Sequence, residues 1–290
     1  MKKYIIASLM ILIPFIAWAN DRCTNPSAYT IDKRCYVTAE EKAQKPYNTT
    51  VALIDHVYNV PMCTGTIIQI QDMLVVYTAA HCIVFGEHKA EKIKIRLQDG
   101  REFITSHNNS GNYVTPKTDE DREKNYPEDW AIYNIPIQGD SIPYTSLTNN
   151  NYTNANTQYK ATVVGYGSLK IMSDQDISNF KSAYIQYLKQ NKQTLNKDTG
   201  YEYDGIDMYN ATVMKFLSSQ KNTFVNIELK KSECAYTGKG ETLACQVWGG
   251  NSGGPIFDNN NRILGIVTLG IPFIGGPHHA EMGGNISLLQ

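Results

Sequence analysis

The sequence predicts an all-β protein of antiparallel sheets, arranged as barrels or a sandwich and interrupted by one helical insertion. Three observations predict it. Short β-like runs separated by turn residues fill most of the chain, an Asp99-Gly100 turn joins two alternating segments, and only the stretch at about 173–191 carries helical periodicity.

Taken in order, Met73 to Thr78 is an apolar strand candidate. Ile93, Ile95 and Leu97 alternate with Lys94, Arg96 and Gln98, and Asp99-Gly100 then turns the chain into Arg101-Glu102-Phe103, the strongest hairpin signal present. Further strands are expected at Tyr159 to Val164, Phe224 to Leu229, Ile256-Phe257 and Arg262 to Thr268, and Gly283 to Leu289 reads as a final strand. Between Ser173 and Asn191, Ile177, Phe180, Tyr184, Tyr187 and Leu188 recur at the spacing of one helical face. Ser173 or Asp174 can cap the start of that helix, and Lys189 and Lys192 suit its C-terminal dipole. Residues 193–210 are polar and glycine-containing and read as a loop, and a polar linker near 149–156 divides the chain into two subdomains.

Composition narrows the function. With 27 Lys+Arg against 28 Asp+Glu, a net charge of -1 and 42% apolar residues, there is no basic excess to displace counterions from a nucleic acid, and too much apolar side chain for a disordered one. Lys2-Lys3, an uncharged run from Tyr4 to Ala19 and the small-x-small Ala17-Trp18-Ala19 form an export signal, with cleavage expected between Ala19 and Asn20. The run is shorter than the roughly 20 residues a spanning helix needs, so no membrane association is expected after cleavage. Six cysteines in an exported chain imply disulfides. Their spacing pairs neighbours, Cys23 with Cys35, Cys63 with Cys82 and Cys234 with Cys245, although six cysteines allow 15 connectivities. No Cys-x-x-Cys accompanies them, and the adjacent His278-His279 is a poor chelate, so no metal is expected.

Three motifs carry chemistry. In Gly249-Gly250-Asn251-Ser252-Gly253-Gly254-Pro255, a serine lies among glycines that let backbone N–H groups converge on one point, as a developing oxyanion requires. Thr78-Ala79-Ala80-His81-Cys82 follows an apolar strand, so His81 emerges at a strand end. A bridge from Cys82 to Cys63 would hold that turn and is worth about 3 kcal/mol in lost unfolded-state freedom. A serine hydroxyl needs such a fixed base to become a nucleophile. Glu128-Asp129-Trp130-Ala131-Ile132 opens an apolar strand, where a carboxylate is costly unless paired. Asp129 is the candidate and Glu128 its rival, and only one of two adjacent strand residues can face inward.

These motifs and their order, His81, Asp129, Ser252, resemble the chymotrypsin-like (trypsin-like) serine endopeptidases, especially secreted bacterial members. Cys63-Thr64-Gly65-Thr66-Ile67-Ile68, Val163-Val164-Gly165-Tyr166-Gly167 and Gly265-Ile266-Val267-Thr268-Leu269-Gly270 extend the resemblance over about 47–270. It implies two packed antiparallel six-stranded β-barrels, with the helical insertion in the second. The implied organisation is a signal peptide at 1–19, an N-terminal extension at 20–46 containing Cys23 and Cys35, a first barrel at 47–150 and a second at 151–290. It also implies peptide-bond hydrolysis through an acyl-enzyme in which Ser252 attacks, His81 shuttles the proton and Asp129 holds the imidazole. The Gly250 and Ser252 N–H groups would form the oxyanion hole, Gln246, Thr268 and Gly270 would line the substrate site, and Cys234 and Cys245 would brace the loop leading to it. Thr268 is the position where a hydroxyl helps hold the carboxylate, although a plain strand residue is an equal reading. The implied substrate is a polypeptide, no cofactor is needed, and the protein would be extracellular or periplasmic.

The sequence departs from that pattern in two places. Asn251 stands where an aspartate pairs with the N-terminus freed by zymogen cleavage, and no matching start precedes Cys63, so activity is expected without such cleavage. Gln246 replaces the aspartate that reads basic side chains, and Val267 replaces a histidine of glutamate-specific relatives, so the preferred side chain is open. The alternative to an enzyme is a protease-fold protein that binds a host or cell-surface partner. Retention of all three triad residues argues against it.

Overall fold

The computed structural model describes residues 23, 26–28, 32–55, 58–70, 72–82, 84–85, 88–89, 92–110, 129–136, 142–145, 158–191, 211–221, 223–237, 242–243, 246–247, 249–270 and 280–283. The expected signal peptide, Glu128, Cys245, the 193–210 loop, the 149–156 linker, His278-His279 and the tail beyond Gly283 lie outside them.

Among the described residues the first half is a closed antiparallel barrel of six strands: β2 (Thr50–Ile54), β3 (Pro61–Ile70), β4 (Met73–Thr78), β7 (Lys92–Arg96), β8 (Glu102–Ser110) and β9 (Ala131–Asn134), in the order β2-β3-β4-β9-β8-β7. The expected hairpin forms in register, Ile95 opposite Phe103, with Gly100 at φ 87° supplying the left-handed turn residue. Ile93, Ile95 and Leu97 point inward and join Leu53, Ile67, Val76 and Tyr77 in the core. Closure leaves no edge strand and gives the ends of β4 and β9 one fixed position.

Among the described residues the second half is a seven-stranded antiparallel sheet that runs as an open path, β1 (Cys35–Tyr36), β11 (Lys230–Thr237), β10 (Gln158–Gly165), β13 (Pro255–Asp258), β14 (Ile263–Gly270) and β15 (Ala280–Gly283), with β12 (Thr242–Leu243) on β11. The extra strand, β1, comes from the N-terminal extension and pairs Cys35 with Lys231. The extension docks further through α1 (Ala39–Lys42), a short helix with a Thr38/Glu41 capping box whose Glu41 meets Lys231 and whose Lys42 meets Glu228. A two-stranded ribbon, β5 (Val84–Phe85) and β6 (His88–Lys89), stands apart.

The helical insertion forms as α2 (Asp174–Gln190), with Ser173 as N-cap in a capping box with Asp176. Ile177, Phe180, Tyr184 and Leu188 are its buried face. They pack on a second helix, α3 (Ala211–Ser219), through Phe180 to Phe216 at 5.5 Å and Tyr184 to Phe216 at 5.1 Å between ring centroids. The expected strand at Phe224 to Leu229 does not form. Phe224 and Val225 are drawn into this aromatic cluster, Phe224 edge-on to Phe180 at 5.3 Å, and only a single bridge, Leu169 to Val225, remains. The strand begins instead at Lys230, in a polar stretch that reads as surface.

Candidate active site

The site is assembled where strand ends of the closed barrel meet a glycine-rich turn of the open sheet. β4 and β9 pair antiparallel, with Thr78 opposite Ala131, so the residues following Thr78 and those preceding Ala131 leave the barrel at the same end. A single 3-10 turn, Ala80–Cys82, presents His81 there, and Asp129 arrives two residues before β9. The Asp129 carboxylate is buried and its two oxygens have separate duties. Oδ1 accepts the His81 backbone N–H at 2.8 Å and Oδ2 accepts from His81 Nδ1 at 2.7 Å. The first bond fixes the turn; the second fixes the ring and assigns its proton to Nδ1, which leaves Nε2 as a base. The nearby phenol of Tyr77 is pushed well above its ordinary range, by burial first and by the Asp129 charge second.

Cys82 is bonded to Cys63 on β3 at 2.04 Å, which ties the histidine turn to the neighbouring strand. Cys63, His81 and Cys82 are also the grouping among the described residues with a metal-like spacing, but two sulfurs bonded to each other are not thiolate ligands. Cys23 pairs with Cys35 as expected, and Cys234 is disulfide-bonded to a partner outside the described residues.

Ser252 sits on the turn preceding β13. Its carbonyl accepts the Thr64 N–H at 2.8 Å and lies 3.7 Å from Cys82 Sγ, which brings the serine turn and the histidine turn together. Thr64, which sequence reasoning passed over, is the coupling residue. Its hydroxyl donates to Gly250 O at 2.7 Å and accepts the Tyr166 N–H at 2.9 Å, while its own carbonyl accepts from Thr78 Oγ1 at 2.7 Å. Glycine is required beside the serine: Gly253 has φ 75°, and a methyl group there would sit 1.9 Å from Thr78 Oγ1 and 2.4 Å from Thr64 O. Gly250 likewise has φ 96°. Gly253 N–H to Val267 O at 2.6 Å and Val267 N–H to Gly254 O at 2.9 Å bind this turn to β14.

The remaining expected residues fall as follows. Thr268 is buried at the register shift between Val267 and Leu269, and Gly270 ends β14 opposite Ala280. Gln246 is buried, donates its N–H to Ser232 Oγ at 3.0 Å, and turns its side-chain oxygen to the Lys33 backbone N–H of the extension. Asn251 is buried against the backbone of Gly165 and Gly167.

The sequence matches the trypsin-like peptidase domain over residues 63–266, more than half of its length, and the chain belongs to that family. No curated protein is similar enough to match. Among solved structures it is similar to a Glu endopeptidase in complex with MPD, at 14% identity and a TM-score of 0.49 over 90% of this chain and 96% of that one. It is also similar to neuropsin, a serine protease expressed in the limbic system of mouse brain, at 16% identity and a TM-score of 0.44 over 81% of this chain and 89% of that one. Among the described residues no helix is long and apolar enough to cross a membrane.

Proposed function

We propose that this peptidase is an exported serine endopeptidase of bacterial type that hydrolyses polypeptides through Ser252, His81 and Asp129. The observation that carries the reading is the two-point hold of Asp129 on His81, at 2.8 Å to the main chain and 2.7 Å to the ring. It leaves Nε2 as the base that a serine nucleophile needs. Ser252 Oγ attacks the scissile carbonyl as its proton passes to His81, and the imidazolium, stabilised by Asp129, returns that proton to the leaving amine. The acyl-enzyme then yields to water by the same proton path in reverse. The Gly250 and Ser252 N–H groups receive the oxyanion, and the β14 edge toward Gly270 lies along the substrate backbone. Residues 1–19 are removed on export, 20–46 remain as the extension, and the barrels occupy 47–150 and 151–290.

With Gln246 uncharged and engaged by Lys33, preference for a basic side chain is not expected. Hydrolysis of a mixed protein substrate, with product ends mapped by mass spectrometry, tests the reading. Ser252→Ala is expected to lose all cleavage while remaining folded. Equal cleavage by the variant would refute it, and no cleavage by the wild type would favour the binding protein.

A further inference from the structure

Behind the serine turn lies a strap, residues 166–170, in which five consecutive carbonyls each accept a named donor. Lys230 Nζ donates to Tyr166 O at 2.7 Å and to Gly167 O at 3.1 Å, the Asn226 N–H donates to Ser168 O at 3.2 Å, and Arg34 donates to Leu169 O at 3.2 Å and Lys170 O at 3.0 Å. Main-chain carbonyls in a strap of this kind ordinarily face water; here two buried side chains, Lys230 and Arg34, take four of the five. Arg34 is held in turn by Asp32, whose Oδ1 accepts the Arg34 N–H and Nε at 3.1 and 3.0 Å and whose Oδ2 accepts Nη2 at 2.8 Å. Asp32 Oδ2 also accepts the Met172 N–H at 3.1 Å, which fixes the far end of the strap.

The other side of the strap touches the serine turn. The Ser168 N–H donates to Gly249 O at 2.6 Å, and its hydroxyl anchors to Pro61 O. A methyl group on Gly250 would sit 2.7 Å from Ser168 N, and one on Gly167 would sit 2.6 Å from Asn251 Oδ1 and 2.9 Å from Arg34 Nη1. The extension's guanidinium and the Asn251 amide thus converge on the space beside one glycine, where a side chain would otherwise stand. The cation arrives with its own carboxylate, so residue 251 needs only to be a compact amide.

We infer that Asp32 and Arg34 of the N-terminal extension are positioning residues for the 249–252 turn, acting through the 166–170 strap, so that the uncut chain holds its oxyanion donors in place. The inference rests on the peptidase reading above. It makes the extension an integral part of the active enzyme, to be kept rather than cleaved. Arg34 is suited to the task because its planar fork reaches two carbonyls and a carboxylate together, a geometry that lysine cannot reproduce.

The test is the rate of fluorophosphonate labelling at Ser252 per folded molecule, with the full chain from Asn20 and with Arg34→Met, Arg34→Lys and Asp32→Asn. The folded fraction is measured in parallel by near-ultraviolet circular dichroism. Misplacing the donors is expected to slow labelling on the order of 10- to 100-fold in Arg34→Met, with Arg34→Lys falling between it and the wild type. On a peptide ester the loss should fall in kcat rather than KM, which a purely structural role would not produce. Should Arg34→Met fail to fold, Arg34→Lys decides the matter. Wild-type labelling rates in folded Arg34 variants would overturn the inference. A wild-type chain that is itself unreactive at Ser252 would overturn the peptidase reading, a result distinguishable from the first.

Discussion

In the closed barrel the ends of β4 and β9, which carry His81 and Asp129, are fixed by apolar packing of Leu53, Ile67, Val76 and Ile95 and by the Cys63–Cys82 bridge. The turn that carries Ser252 is fixed differently, by Thr64, Ser168, Arg34, Asp32 and Lys230, all buried polar or charged groups aimed at main-chain atoms. Apolar packing is non-directional and tolerates small displacements, whereas hydrogen bonds to carbonyls specify distance and angle. The comparison teaches that the histidine is placed by the closed barrel's packing, its disulfide and the two-point hold of Asp129, while the serine turn, proposed to aim backbone N–H groups, is held by directional contacts from several segments, one of them the N-terminal extension.

The sharpest way to break that comparison is on the barrel side of the site. His81→Ala is expected to lower kcat/KM by at least about 10⁴-fold, and Asp129→Asn by about 10⁴-fold because the imidazole loses its tautomer. Steady-state kinetics on folded variants checks both. An Asp129→Asn enzyme with near-normal turnover would return the role to Glu128.

Next in size is a pair of neighbouring substitutions with opposite signatures. Leu53→Ala opens a cavity in the barrel core and is expected to cost about 2–5 kcal/mol of stability while leaving activity per folded molecule unchanged. Thr64→Val keeps the shape but leaves the Tyr166 N–H and the Gly250 carbonyl without their partner. It is expected to cost a similar amount, on the order of 2–5 kcal/mol, and to reduce turnover as well. Urea denaturation and kinetics on the same samples separate the two. If both variants lose turnover equally, the division between barrel and turn fails.

A smaller effect appears in the pH dependence of stability. Burial holds the Lys230 ammonium well below its usual pKa, with the Arg34 charge adding to the shift and the Asp32 and Glu228 carboxylates opposing it; the Tyr36 ring and Lys42 also face it. The unfolded chain then binds the extra proton between that lowered value and about pH 10.4, so this group makes stability rise with pH across the window, by at most about 1.4 kcal/mol per pH unit. Above roughly pH 10 the sign reverses, because the buried phenols of Tyr77, Tyr133 and Tyr166 keep their protons only in the folded chain. Urea midpoints from pH 7 to 11 should show the rise and the fall, and Lys230→Met should remove the rise. The smallest effect belongs to the exposed Lys160–Glu233 pair on β10 and β11, where Lys160→Ala should change stability by less than about 0.5 kcal/mol.

Sequence alone exposes the chemistry more fully than its support. His81 and Ser252 lie in motifs whose small neighbours are demanded by the main-chain geometry, and the 1.9 Å that would separate a methyl group on Gly253 from Thr78 Oγ1 shows why no other residue serves. Helix α2 is legible because its cap and its apolar face agree. Asp32, Arg34 and Lys230 are not legible, because charged residues in a polar extension or an alternating Lys230-Lys231-Ser232-Glu233 strand carry the pattern of a solvated face. Only the fold reveals that Arg34 and Lys230 donate to carbonyls of the 166–170 strap, those of Arg34 some 135 residues distant, and that Asp32 accepts from Arg34 and the Met172 N–H. The strand expected at Phe224 to Leu229 fails for a related reason, since an aromatic cluster claims Phe224 and Val225 while Leu229 packs with the barrel core.

The most direct measurement is fluorophosphonate labelling of the chain beginning at Asn20, with no proteolytic trimming and with peptide mapping of the adduct. One equivalent on Ser252, absent from Ser252→Ala and His81→Ala, is the expected result. Labelling that appears only after the extension is cut away would contradict the account, because the serine turn would then be held out of place by the segment proposed to position it.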